Sequence, residues 1–434
     1  MTEETQEKKS MFRSFSKNFW TVITMEFFER GSYYGVRSIL SVYLVLSVAE
    51  GGLGFSKESV GVITSTFQPM LYLLPILAGA LAERFGYRKT LIFAFTVMSL
   101  GYLLTGFMTS YVLVFASLIF MVVGAGTFKP IISGTIARVT DKSNSTLAFG
   151  IFYWSINLGA FIFPLILVPM LKQISYSYVF IMAAVGTGSL LLLNLFVYKE
   201  PDKPANTKPL GQVLNEAILV LKDFRFILMI VIYSGFWILY FQMFDSVLWY
   251  FKDYVDKTPI NNFVNSFLSI FVSNPNWKFD VEHVTVINAG TIILLQILIS
   301  NIVKKTKALP TMISGIALGT IGMAILAIST HPFIFIAGII IFSIGEMTAH
   351  PKFISYVGLI APEDKKALYL GYSFLYCVLG SGIGGLLGAI LYVHFVDTLK
   401  NPTLLWITFS LIGVATIIGL LLYNKFLAPK TTDV

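Results

Sequence analysis

The chain has 434 residues, of which 56% are hydrophobic and only 12% charged, and its mean hydropathy is +0.77. A soluble globular chain carries about 25% charged residues. There is too little polar surface here to face water, so the composition implies an integral membrane protein. The net charge of +8 gathers in loops on one side of the predicted spans, which excludes nucleic acid as its partner.

A membrane-spanning helix needs about 20 apolar residues. The apolar runs predict twelve: 19–47, 60–82, 90–108, 112–137, 147–170, 177–198, 223–249, 284–303, 309–329, 333–358, 367–393 and 402–424. A β-barrel would alternate polar and apolar residues, and runs such as Leu91 to Met108 do not. The first run is too long, and too charged inside, for a secretory signal peptide. The widest polar break is Lys199 to Gln212, with Pro201, Pro204 and Pro209. The predicted organisation is a tail 1–18, a six-helix bundle 19–198, a linker 199–222, a six-helix bundle 223–424 and a tail 425–434. In the connection from Lys252 to His283, Phe263, Phe267 and Phe271 recur every fourth residue. That spacing fits a short amphipathic helix on a membrane surface.

With the N-terminus in the cytoplasm, 21 Lys and Arg residues fall in cytoplasmic segments and 6 outside: Lys57, Lys172, Lys252, Lys257, Lys278 and Lys400. The bias predicts that both termini are cytoplasmic. The single cysteine, Cys377, lies in an apolar run and cannot form an intramolecular disulfide. No H-E-x-x-H cluster or nucleophile motif is present, so no metal, cofactor or enzyme activity is expected.

Charges inside the spans carry the functional reading. Each costs about 2.5–3.5 kcal/mol at the bilayer centre, so it faces protein or a watery cavity. In the first span, Glu26, Glu29, Arg30, Tyr33 and Arg37 share one helical face. An ion-paired network that only joins helices is the alternative to a cavity lining. In the fourth span, Lys129 lies in Gly124-Ala-Gly-Thr-Phe-Lys-Pro130, where small residues permit close helix approach and Pro130 permits a kink. Lys129 calls for an anionic partner or ligand, unless it snorkels. In the tenth span, Glu346 sits midway, with His350 on the same face and Pro351 next. Glu346 is a candidate proton carrier or anchor for a cationic ligand, and His350 is as readily a packing residue. Lys352 is given no role. The seventh span holds Trp237, Gln242 and Asp245, and Asp245 could pair with Arg37 as an external gate. Basic Arg30 and Lys129 in one half and acidic Glu346 and Asp245 in the other suit a zwitterion with separated charges. Two six-helix halves that alternate in access around a midplane site are the usual transporter solution.

At these residues the chain resembles the proton-dependent oligopeptide transporter family of the major facilitator superfamily. Glu26-Phe-Phe-Glu29-Arg30-Gly-Ser-Tyr33-Tyr34-Gly35 is similar to that family's first-helix E-x-x-E-R-F-x-Y-Y-G, and Arg37 to a further arginine. Tyr72-Leu-Leu-Pro75 resembles its second-helix Y-L-T-P, and Phe128-Lys129-Pro130 its F-K-P. Phe152-Tyr153-Trp-Ser-Ile-Asn157-Leu-Gly159 resembles its fifth-helix F-Y-x-x-I-N-x-G, and Gly345-Glu346 its tenth-helix G-E. The loop Gly79 to Lys89 resembles the wider superfamily's second-to-third loop motif, with Glu83 for the usual aspartate.

The resemblance implies the major facilitator fold and uptake of di- and tripeptides driven by protons. Arg30 and Lys129 would hold the peptide carboxylate, and Glu346 its amino group. Tyr33, Tyr34, Tyr72, Asn157 and Trp237 would line the site. Glu26 and Glu29 would join Arg30, Lys129 and Glu346 in proton coupling. It further implies a monomer in the lipid bilayer of a bacterial inner membrane, with protons as the coupling ion and no other cofactor.

Two departures stand out. The family's seventh helix reads F-W-x-x-x-E-Q, where this chain has Phe241 before Gln242. Phe241 cannot titrate, and Asp245, one turn on, is the nearby substitute. The linker is also too short for the two extra helices of many bacterial members. The alternatives are a transporter of another charged solute with altered coupling, a drug exporter, which the basic wall fits poorly, and a membrane sensor that no longer transports.

Overall fold

The computed structural model describes residues 15–141, 144–201 and 210–428. The expected tails up to 14 and beyond 428, and linker residues 202–209 with Pro204 and Pro209, lie outside the described residues. Among the described residues every regular element is helical. Among the described residues eleven helical segments are long and apolar enough to cross a membrane. The first predicted span corresponds to the first helix, α1 (Lys17–Arg37), which is not among these eleven and whose Glu26, Glu29, Arg30 and Arg37 make it the most charged. The protein is an all-α membrane protein.

The expected first span, 19–47, is broken. After α1 the chain turns at Ser38 and Ile39, then resumes as α2 (Leu40–Val45). Four continuous helices carry the next crossings and the fifth span's start: α3 (Lys57–Phe85), α4 (Tyr87–Phe107), α5 (Tyr111–Val139) and α6 (Ser145–Ile162). The fifth span then widens into a π turn at Phe163–Leu167 before α7 (Val168–Lys172). Pro164 and Pro169 each lack the N–H that a regular helical turn needs. The sixth span is α8 (Tyr176–Phe196). Within the predicted linker, Leu210–Leu221 forms a helix, α9.

The seventh span, expected as one helix over 223–249, is also two: α10 (Phe224–Gln242) and α11 (Ser246–Tyr254). No proline or glycine marks the break. Met243, Phe244 and Asp245 instead make short bonds three residues back, at 3.1, 3.2 and 3.1 Å. Side-chain hydrogen bonds brace the break. Ser41 Oγ donates to the Phe244 carbonyl at 2.6 Å. Gln242 Nε2 donates to the carbonyls of Ile238 and Gly384, each at 2.9 Å, and Ser246 Oγ donates to Gln242 Oε1 at 2.8 Å.

The expected amphipathic helix is α12 (Thr258–Leu268), with Phe271 just past its end. Spans eight to ten are α13 (Glu282–Val303), α14 (Ala308–Ile325) and α15 (Pro332–Ile360). The eleventh is α16 (Lys366–Tyr372), a break at Ser373 and Phe374, and α17 (Leu375–Tyr392); the twelfth is α18 (Pro402–Phe426).

The chain divides into two compact units: Met1–Val36 with Met70–Leu214, and Arg37–Pro69 with Asn215–Val434. Small residues set the close approaches within each. In the first, a Cβ on Gly124 of α5 would lie 2.6 Å from the Ala94 carbonyl of α4, and one on Gly159 of α6 would lie 2.6 Å from the Phe27 carbonyl of α1. In the second, a Cβ on Gly345 of α15 would lie 2.6 Å from the Gly315 carbonyl of α14. Such contacts bring backbones together in lipid, where apolar burial alone does not drive association. Residues 37–69 group with the second unit because their backbone is gripped there. Trp249 Nε1 donates to the Ser41 carbonyl at 3.1 Å, and Gly61 meets the methyl of Ala389.

Candidate functional site

The first unit gathers most of the charged stripe of α1. Arg30 donates to both oxygens of Glu29, through Nη2 to Oε1 at 2.6 Å and through Nε to Oε2. Glu26 Oε1 lies 3.6 Å from Arg30 Nε. All three side chains are buried, so one guanidinium sits beside two acids. Glu26 Oε2 is buried with no hydrogen-bond partner. The Arg30 guanidinium also lies over the ring of Tyr33, 4.9 Å from its centroid. Lys129 stands the same distance, 4.9 Å, over the ring of Tyr72. An aromatic face can hold a cation without neutralising it. Tyr34 packs edge-on against Tyr33. Asn157 is buried and donates to the Tyr153 carbonyl of its own helix at 2.9 Å.

The second unit holds the other candidates. Glu346, half-buried on α15, accepts a hydrogen bond from Asn288 Nδ2 of α13 at 3.1 Å. Asn288 Nδ2 also donates to Ser343 Oγ at 2.9 Å. Sequence reasoning missed Asn288, because an amide in an apolar helix reads as a tolerated polar residue until its partner is seen. One turn on, His350 Nδ1 meets Tyr376 Oη at 3.2 Å. Trp237 packs against both, with ring centroids 4.7 Å from Tyr376 and 5.6 Å from His350. His350 is thus held in an aromatic cluster. Lys352 reaches back to the Thr306 carbonyl at 2.6 Å, where a cation suits the C-terminal end of α13.

Arg37 and Asp245 form a two-stranded ion pair, Nη1 to Oδ1 at 3.2 Å and Nη2 to Oδ2 at 3.4 Å. Each sits at a helix break, and the two side chains are only 2% and 3% exposed. The guanidinium is sandwiched by Phe67 and Phe244, at 5.6 and 5.0 Å from the ring centroids. Phe241 is buried against Trp237 and Tyr240. Nearby, a cleft of about 140 Å³ is lined by Glu50, Lys57, Trp249, Lys252 and Asp253 among others. Its lysines are paired, Lys57 with Asp397 at 2.8 Å and Lys252 with Glu50 at 3.5 Å. Among the described residues no group of three His, Cys, Asp or Glu side chains could hold a metal ion.

Among the described residues the fold is an all-helical membrane architecture with buried charged residues in both of its units. The chain belongs to the Major Facilitator Superfamily, whose family model matches residues 30–273. It is 34% identical over 185 residues to an uncharacterized transporter of Bacillus subtilis strain 168, covering 42% of this chain and 37% of that one. It is 29% identical over 267 residues to a di-/tripeptide transporter of Lactococcus lactis subsp. lactis, covering 58% and 48%. The chain thus spans about half the length, or less, of these relatives. The crystal structure of a proton-dependent oligopeptide transporter family member in complex with 5-aminolevulinic acid superposes with a TM-score of 0.76. It covers 96% of this chain and all of that one at 21% identity, which shows the shared fold. The resemblance read from the motifs of α1, α5 and α6 is borne out at the level of the superfamily, and the relatives and solved structures that the chain matches are named as transporters.

Proposed function

We propose that the chain carries di- and tripeptides, or peptide-like zwitterions, into a bacterial cell in symport with protons. The observation that carries this reading is the charge set. Arg30 and Lys129 are membrane-embedded cations held beside aromatic rings. Glu346 is a mid-span carboxyl oriented by an amide from a neighbouring helix. Lys129 and Arg30 bind the peptide carboxylate, which competes with Glu29 for the guanidinium. Glu346 binds the peptide ammonium group. Tyr33, Tyr34, Tyr72, Asn157 and Trp237 contribute hydrogen bonds and apolar contact. Glu26, Glu29 and Glu346, with Arg30 and Lys129, couple the proton, and the unpartnered Oε2 of Glu26 gives it a place to reside. Arg37 and Asp245 act as a gate whose ion pair breaks and re-forms as the two six-helix halves, 19–198 and 223–424, alternate in access. We assign the protein to the cytoplasmic membrane, both termini inside, as a monomer.

The test is dialanine uptake into proteoliposomes, with and without an inward proton gradient, with Glu346→Gln as control. Gradient-dependent accumulation, lost in the variant, supports the reading. Binding or exchange without accumulation means that coupling does not survive with Phe241 in the seventh span. Neither binding nor flux, in folded protein, means that the solute is not a peptide.

A further inference from the structure

The connection between spans seven and eight holds a helix that is amphipathic in an inverted sense. Two of its asparagines, Asn261 and Asn265, face the protein, while Asn262 and Ser266 are exposed. Asn265 clamps Trp277 twice, Nδ2 donating to its carbonyl at 2.9 Å and Oδ1 accepting from its N–H at 2.8 Å. Asn261 Oδ1 accepts from the Phe279 N–H at 2.7 Å. Its aromatic side chains face outward: Phe263, Phe267 and Phe271 are 65%, 59% and 72% exposed, and Ile270 and Val272 extend the patch. Facing water, these rings would forfeit the burial that drives apolar groups together.

Two features say what covers them. Only Val255, Asp256 and Lys257 separate α11, the outer piece of the seventh span, from α12. Such a link reaches about 14 Å at most, so α12 stays at the membrane edge. The patch is also continuous with a span. Phe263 packs edge-on against Phe333, 6.0 Å between centroids, and Phe333 is itself exposed at the start of α15.

We propose that residues 258–272 are seated in the lipid headgroup region at one face of the membrane, with Phe263, Phe267 and Phe271 reaching the acyl boundary. The segment then anchors α11 to that interface. This is the position an interfacial helix takes when its apolar face is outward and its neighbours already cross the bilayer. The proposal is independent of which solute is carried.

The sole cysteine, Cys377, is buried, so site-directed labelling is direct. In a Cys377→Ser background, Phe267→Cys and Phe271→Cys are each labelled with a nitroxide and reconstituted in phosphatidylcholine liposomes. Leu298→Cys on exposed, lipid-facing α13 and Lys305→Cys in an exposed turn serve as references. Collisions with oxygen are compared with those of a water-soluble nickel chelate. Both labels are expected to favour oxygen several-fold over the Lys305 reference and to approach the Leu298 value. Nickel accessibility equal to that at Lys305 overturns the proposal. So does spin–spin broadening that vanishes on dilution with unlabelled chain, because a second copy would then be the cover. Phe271 lies beyond the helix, so its label reads the patch even if substitution at Phe267 unsettles α12.

Discussion

Replacing Asp245 with alanine leaves the Arg37 guanidinium buried without its counter-ion. Both side chains are almost wholly shielded from solvent, so screening offers little relief. Breaking a buried ion pair by removing one partner costs about 3–5 kcal/mol. The rings of Phe67 and Phe244 remain over the guanidinium and offset about 1 kcal/mol of that. A net loss of about 2–4 kcal/mol is expected for Asp245→Ala. The double variant Arg37→Leu with Asp245→Ala removes both charges and should recover more than half of the loss, with Arg37→Leu alone as the fourth corner. The assay is a double-mutant cycle on reversible unfolding in mixed micelles, followed by tryptophan fluorescence. Strictly additive effects, with a coupling energy below about 0.5 kcal/mol, would refute a shared ion pair as the lock between the two helix breaks.

Other outcomes follow from the same geometry. Glu346→Gln and Lys129→Ala should each abolish gradient-driven peptide uptake while size-exclusion profiles stay those of folded protein. Asn288→Ala should raise the KM for dipeptide more than it lowers kcat, because Glu346 loses the amide that orients it; an unchanged KM would remove Asn288 from the site. Gly345→Ala puts a methyl group against the Gly315 carbonyl, and overpacking of this kind costs about 1–3 kcal/mol, read as a lowered unfolding midpoint. Glu50, outside the spans, is held below its ordinary carboxyl value of 4.5 by the Ser47 hydroxyl first and Lys252 second. Its stabilising effect is therefore present above the unfolded-state value and is lost as pH falls through the lower folded one. Glu50→Gln should lower stability slightly at neutral pH, flatten the acid limb below about pH 4.5 and converge on the parent protein at lower pH.

Much of this molecule is legible in its residue order, because lipid imposes local rules. Every span must be apolar for its own length, and every embedded charge must find a partner. Both rules apply to short windows, so the spans, the amphipathic segment near Phe267 and the charged face of α1 can be read directly. The pairing of Arg37 with Asp245 could be anticipated too, since each charge demands the other. The helix breaks could not. Residues 243–245 contain no proline or glycine, and the break is braced by Ser41 on the Phe244 carbonyl and by the Gln242–Ser246 side-chain bond. Asn288 was hidden for the same reason. Its contact with Glu346 joins residues 58 apart, and no periodicity spans that distance.

The sequence alone determined a helical membrane protein, the identity of its embedded charges and the family it resembles. Only the tertiary structure decided that Arg30 bonds Glu29, that Asn288 holds Glu346, where the first, seventh and eleventh spans break, and that residues 37–69 pack with the second unit. Composition acts residue by residue against the lipid. Hydrogen bonds and glycine contacts act between helices, and they exist only once the helices have been brought together.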